Sequence, residues 1–374
     1  MSRTSARAGL LGGSGLVELL RRSAGMDAVD LALGVPGVPA PPAGLVAAAG
    51  FALLRGDHHQ YADPAGHPLL RQRIADSLGT EEDEITVTVG STEGLAVALL
   101  SLVDPGDEVI MLEPYYENFV NAVLLAGGVP RFVRLHRPGW CFDSAELAAA
   151  FGPRTRAMIV NSPGNPTGRV FSGAELDEIA ALCEKWDVTV VSDEVYSSYV
   201  FEGVHTSAAD VPALRDRYVI VDSLSKSHAV SGWRLGYLRA PKSLTTVLRR
   251  VHEATTAGAA APLQLAAARA LPREWFPAEE MRRRRDTVAR LFAECGLAVD
   301  PGQGGVFLTA GLGGADSRSF ARQLLERTGV LVAPGSLFVS EDHRGDFVRV
   351  AFNRTREVLD TAATRLRKVA ACPG

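Results

Sequence analysis

The sequence predicts an α/β fold: a large domain with a mostly parallel seven-stranded sheet flanked by helices, plus a smaller α+β domain built from the N- and C-terminal segments. Three observations point there. Short β-rich apolar runs alternate with longer helical patterns through the middle of the chain. Those runs are apolar almost without interruption, whereas a sheet with one wet face would alternate. After Pro241 the rhythm changes to long helices and then returning strands. At 374 residues the chain is also long for a single core, which favours a large and a small lobe.

Taken in order, residues 1–44 are read as an N-terminal segment of the small domain. Residues 2–15, rich in Ser, Arg, Ala and Gly, are expected to be partly disordered, and the Pro/Gly-rich stretch 32–42 to be a linker. The large domain, 45–250, holds strand patterns at 85–89, 108–112, 131–135, 157–161, 188–192, 218–223 and 234–239. Helical patterns at 93–103, 117–126, 144–150 and 173–186 lie between them. The small C-terminal domain, 251–374, takes most of the later helices, at 243–253, 262–271, 278–295 and 356–370, and strands at 305–308, 331–332 and 347–352. The run Arg282-Arg283-Arg284-Arg285 reads as a solvated helix face, because Glu279, Glu280 and Asp286 flank it.

Bulk properties exclude several classes. Hydrophobic residues at 47% and charged residues at 22% suit a globular chain. A net charge of −4 gives no field that would draw nucleic acid or an anionic membrane. Cys141, Cys183, Cys295 and Cys372 form no C-x-x-C pair and have no histidines at metal-ligand spacing, so free thiols are expected and no metal site. No apolar run in the first thirty residues is long enough for a signal peptide or membrane span. A cytoplasmic protein is the expectation.

Five segments that follow strands carry chemistry. Lys226 lies in Ser223-Leu224-Ser225-Lys226, with Arg234 eight residues on. A buried lysine near a second cation supplies a neutral amine able to condense with an aldehyde. A surface lysine after a strand is the plainer reading. Ser91 and Thr92 open a helix, where unpaired N–H groups bind phosphate. A simple helix cap explains them equally well. Tyr116, in Glu113-Pro114-Tyr115-Tyr116, could stack on a flat ligand or pack into the core. Asn161-Ser162-Pro163-Gly164-Asn165-Pro166-Thr167-Gly168 fixes an asparagine in a rigid loop, with a cis peptide expected. Asp193, in Ser192-Asp193-Glu194-Val195-Tyr196, ends a very apolar strand and needs a positive partner unless it caps a helix.

Together these segments resemble the fold-type I pyridoxal-phosphate enzymes of the aspartate-aminotransferase-like class I/II family. The resemblance covers residues 30–370, and the runs at 161–168, 192–196 and 223–237 stand in the family's order and spacing. It implies that Lys226 carries pyridoxal 5'-phosphate and moves the Cα proton, and that Asp193 pairs with the ring nitrogen. It further implies that Asn165 and Tyr196 bond the ring's phenolic oxygen and that Tyr116 stacks on the ring. Ser91, Thr92, Ser223, Ser225 and Arg234 match the phosphate cup. Arg349 and Gly34 match the holders of the substrate α-carboxylate, and Tyr61 matches a tyrosine that reaches the neighbouring subunit's phosphate. A homodimer with shared active sites follows from that last match.

The loop Leu33-Gly34-Val35-Pro36-Gly37-Val38-Pro39 departs from the family's usual acidic residue followed by Pro-Asp-Phe. Residues 257–262 hold no second arginine for a dicarboxylic side chain, which argues against aspartate as amino donor. His228 is read as packing near the site. The activity implied is transfer of an amino group between an α-amino acid and an α-keto acid. The same constellation also serves β/γ-elimination, cyclisation, decarboxylation and oxidation, which the sequence leaves open. Use of such a domain as the sensor of a transcription regulator would need a helix-turn-helix module, for which the thirty or so residues before the match are too few.

Overall fold

Alternate residues of the central strands point to two different apolar layers, which is why those runs read as continuously hydrophobic. Val109, Met111, Ile159, Val191 and Val219 pack with Leu95, Val97 and Phe119 on one face. Ile110, Leu112, Met158, Val160 and Val190 pack with Leu176 and Ile179 on the other. A computed structural model describes residues 4–35, 37–56, 59–271 and 277–370. Pro36 and Cys372 therefore lie outside the described residues.

In chain order the strands are β1 (Val29–Asp30), β2 (Ile85–Thr88), β3 (Glu108–Glu113), β4 (Val129–His136), β5 (Cys141–Phe142), β6 (Thr155–Asn161), β7 (Thr189–Asp193) and β8 (Tyr218–Ser223). They continue as β9 (Gly236–Arg239), β10 (Ala298–Asp300), β11 (Phe307–Gly311), β12 (Val330–Leu331), β13 (Ala333–Pro334) and β14 (Phe347–Ala351). The large sheet runs β2-β9-β8-β7-β6-β3-β4-β5. It is parallel from β8 through β7, β6 and β3 to β4, and antiparallel where β9 meets β2 and β8. All seven expected strands are in it. The count is eight, because the short β5 folds back antiparallel onto β4, and two residues are too few to show as a sequence pattern. The register Asn161↔Asp193↔Val221 aligns the carboxyl ends of β6, β7 and β8.

A second, antiparallel sheet has the order β10-β11-β14-β13. Arg349 sits on β14 between Thr309 and Ala333, so it is central in this sheet. β1 pairs in parallel with β12, tying the N-terminal segment to the C-terminal one. Helices Glu117–Ala126, Ser144–Ala150, Gly173–Trp186 and Arg356–Ala370 fall where their patterns place them. The third is set by a capping box, with Ser172 and Glu175 each bonding the other's backbone N–H.

One expectation is corrected: Arg285 is buried, stacked 5.6 Å over Phe201 and donating to Gly302 O at 2.7 Å, so only part of the arginine run is a solvated face. Within residues 2–15, Ala6–Leu10 is a short helix capped by Ser5. Residue 250 lies in the helix Lys242–Thr256.

Candidate active site

Asp193 closes β7 and is buried. Its carboxylate accepts one long bond, from Val195 N at 3.3 Å. Burial pushes its pKa up to about 7, against the Val195 bond and with the Glu194 charge adding to the rise. Glu194 beside it is also buried but well engaged, accepting from Ser192 Oγ, His205 Nε2, Ser207 Oγ and Ala208 N at 2.8 to 3.1 Å. Asp193 is thus the carboxylate that still lacks a strong donor.

Lys226 lies in the short helix Leu224–Ser227 directly after β8. Its Nζ donates to Gly34 O at 3.0 Å. Burial lowers its pKa to about 8, and the Arg349 and Arg234 charges push the same way. His228 is buried next to it and shares a 2.9 Å hydrogen bond with Ser227 Oγ.

At another edge of the pocket, the N-cap of helix Gly90–Leu102 is Val89, which offers no side-chain cap, while Glu93 Oε2 accepts from Val89 N at 2.6 Å. Ser91 and Thr92 therefore do not act as caps, and their N–H groups stand at a positive helix end. Gly90 has φ +74°, and a Cβ there would meet Arg234 Nη2 at 2.4 Å. The guanidinium thus lies over the helix start. Arg234 is itself left-handed, with φ 53°, and donates from Nη1 to Ser231 O at 3.0 Å. No carboxylate pairs with it among the described residues. Ser225 joins this wall. Ser223 does not: its hydroxyl donates to Leu235 O and accepts from Ser225 N, both at 3.0 Å, holding the Lys226 turn from behind.

Arg349 is 1% exposed and has no carboxylate partner either. Its guanidinium lies 3.9 Å from the Phe307 ring centroid and 4.5 Å from that of Phe338. Nη1 donates to Asn165 Oδ1 at 2.8 Å, Nη2 donates to Ala32 O, and Nε has no partner. Burial lowers its pKa to about 10. A buried cation with an unused donor is costly unless an anion completes it. Asn165 is itself fixed, since its N–H donates to Asn161 Oδ1 at 2.7 Å and Asn161 Nδ2 donates to Asp193 O at 2.9 Å. The Ser162–Pro163 and Asn165–Pro166 bonds are both cis.

Gly34, Ser91, Thr92, Tyr116, Asn165, Asp193, Tyr196, Ser225, Lys226, Arg234 and Arg349, all expected in the site, line one cavity of about 230 Å³. Tyr116 accepts from Asn118 Nδ2 at 3.1 Å, and Tyr196 is buried edge-on to Phe307, with its pKa driven up by that burial. Tyr61 is 94% exposed and lies outside the cavity. Leu16, Leu33, Val35, Asn161 and Phe307 also line it without having been singled out as site residues. Only Gly34 carried a hint of this wall: a Cβ there would lie 2.3 Å from Phe307 Cζ, so glycine permits that approach. The arrangement suits a flat ligand with a protonated ring nitrogen and an anionic tail, beside a second, small carboxylate. Among the described residues no group of three His, Cys, Asp or Glu could hold a metal ion.

A family model described as aminotransferase class I and II matches residues 27–366. Human kynurenine–oxoglutarate transaminase 1 is 32% identical, over 94% of this chain and 94% of its own length. The arginine–pyruvate transaminase of Pseudomonas aeruginosa is 38% identical, over 86% of this chain and 84% of its own. The solved N-succinyldiaminopimelate aminotransferase of Mycobacterium tuberculosis superposes with a TM-score of 0.92 at 33% identity, over 99% of this chain and 100% of that one.

Proposed function

The chain belongs to the class I and II aminotransferase family and is an aminotransferase, and from that premise we propose how its residues do the work. The family is generally dependent on pyridoxal phosphate. The proposal is that this protein uses that cofactor to move an amino group between an α-amino acid and an α-keto acid. The observation that carries it is one cavity holding an anion without a strong donor, Asp193, with three cations, Lys226, Arg234 and Arg349, that form no salt bridge with a carboxylate among the described residues.

Bound pyridoxal phosphate supplies an electron-poor ring that accepts the electron pair left at the substrate's Cα. Asp193 would hold the protonated ring nitrogen, Asn165 and Tyr196 would bond the phenolic oxygen, and Tyr116 would stack on the ring. Ser91, Thr92, Ser225 and Arg234 take the phosphate, with Ser223 behind them as a positioning residue. Lys226 anchors the cofactor by its amine, and its Nζ, when released and neutral, takes the proton from Cα. The pKa near 8 keeps a useful neutral fraction at neutral pH. Arg349, fixed between two rings, grips the α-carboxylate together with the backbone at Gly34.

Tyr61 belongs to the part of this reading that requires a homodimer. Its exposure, together with exposed Val46, Phe51, Leu53 and Leu54 around helix Ala43–Arg55, supports a second copy covering that face and sharing the site. A cytoplasmic location is also part of the proposal, supported by the unpaired thiols of Cys141, Cys183 and Cys295.

The test is a screen of amino acids on the cofactor-loaded protein, following visible absorbance and keto-acid release. Lys226→Ala is expected to bind the cofactor without covalent attachment and to lose turnover by a factor on the order of 10⁴ or more. Ammonia release in place of keto acid, or undiminished turnover in the variant, overturns the assignment.

A further inference from the structure

We propose that the side-chain end of this pocket selects neutral, apolar α-amino acids, and that Leu16, Leu33, Val35 and Phe307 form the selecting wall. The inference rests on the residue roles proposed above and names the substrate class of that same site.

The argument begins with charge. The cations lining the cavity are Lys226, Arg234 and Arg349, and its anion is Asp193. The cofactor and the α-carboxylate engage all four. A dicarboxylic donor brings one more carboxylate, and a basic donor one more ammonium. Neither finds a partner among the described residues of the wall. An unpaired charge pressed against aliphatic side chains costs several times what a neutral polar group does, while burying an aliphatic or aromatic side chain gains about 1.5–3 kcal/mol.

Position adds to this. Leu16, Leu33 and Val35 all come from the N-terminal segment and line the cavity together with Phe307 on β11. Leu16 is buried in the apolar layer that includes Leu331, Ala333 and Phe338. Its neighbour Gly15 is seated so closely that a Cβ would lie 2.4 Å from Leu337 Cδ2. Leu16 is therefore held by packing. Other guanidiniums, those of Arg318 and Arg322, line a separate cavity of about 710 Å³ together with Gly15 and Leu19. The chain at 15–16 divides the two, with Gly15 facing one and Leu16 the other. Val35 is 51% exposed, so the wall has an open rim for longer apolar side chains.

Two measurements on the cofactor-loaded protein test this. Calorimetric titration with unreactive carboxylates reads the wall without turnover. Binding of 4-methylpentanoate is expected to be tighter than that of succinate by about tenfold or more, a share of the transfer preference of its aliphatic tail. Val35→Arg, a change at a half-exposed position that the fold should tolerate, is expected to shrink or invert that ratio. Half-reactions with L-leucine and L-methionine are expected to outrun those with L-aspartate, L-glutamate and L-lysine. Succinate binding tighter than 4-methylpentanoate, an unaltered ratio in Val35→Arg, or faster reaction of the charged donors overturns the inference. Faster reaction of acidic donors would do so while leaving transamination standing. Failure of every amino acid to yield a keto acid would instead remove the underlying reading, and the carboxylate ratio would still report on the wall.

Discussion

Asp193 is stable as a buried group only when protonated or when something positive lies against it. Its carboxyl pKa is raised from 3.8 to about 7. Between those values the unfolded chain releases a proton that the folded cofactor-free protein keeps, so stability falls as pH rises from about 4 to about 7. Asp222, likewise raised to about 7, by burial, adds to the same slope. Asp193→Asn should flatten the dependence by an amount on the order of 2–4 kcal/mol across that window. Urea unfolding of both cofactor-free proteins at pH 5 and pH 8 checks it, and equal slopes would remove Asp193 as the strained group. Arg349 makes the complementary case. Its planar fork is already fixed by Asn165 and Ala32 O, so Arg349→Lys cannot reproduce a bidentate grip. The expected outcome is a KM for the donor raised on the order of a hundredfold, with kcat falling less, read from steady-state kinetics.

At the scale of elements, the proposed phosphate cup rests on the start of helix Gly90–Leu102. Gly90 leaves the β2 strand with φ +74° and lets the Arg234 guanidinium lie against the helix start. Gly90→Ala adds strain of about 1–2 kcal/mol at a left-handed position and pushes Arg234 aside. Affinity for pyridoxal phosphate should fall by about tenfold or more, while far-UV circular dichroism stays native. Unchanged affinity in a titration would show that Arg234 does not serve the phosphate. The lobes follow the same logic of packing. Helix Ala261–Ala270 makes extensive contact with Ala43–Arg55 and lies against Pro68–Leu78, which supports a proposal that it packs with the large lobe.

At the scale of the molecule, the exposed face of Val46, Phe51, Leu53 and Leu54 predicts the assembly. Leu54→Asp should shift the protein toward monomers in sedimentation velocity and lower activity along with them. A fully active monomer would exclude a shared site. What the sequence alone determined is local. Continuous apolar runs foretold strands covered on both sides, and short motifs at strand ends marked Lys226, Asp193, Asn165, Tyr196 and Arg234, because turns and caps are written within a few residues. What only the tertiary structure decided is set by contacts between distant segments. Residue 349 meets 165 and 32, residue 34 meets 226 and 307, Ser223 is not among the residues lining the pocket, and Leu16 and Phe307 line one cavity. The physical reason is that hydrophobic periodicity fixes which face of a strand is buried, while partners hundreds of residues apart are chosen by how the two sheets pack.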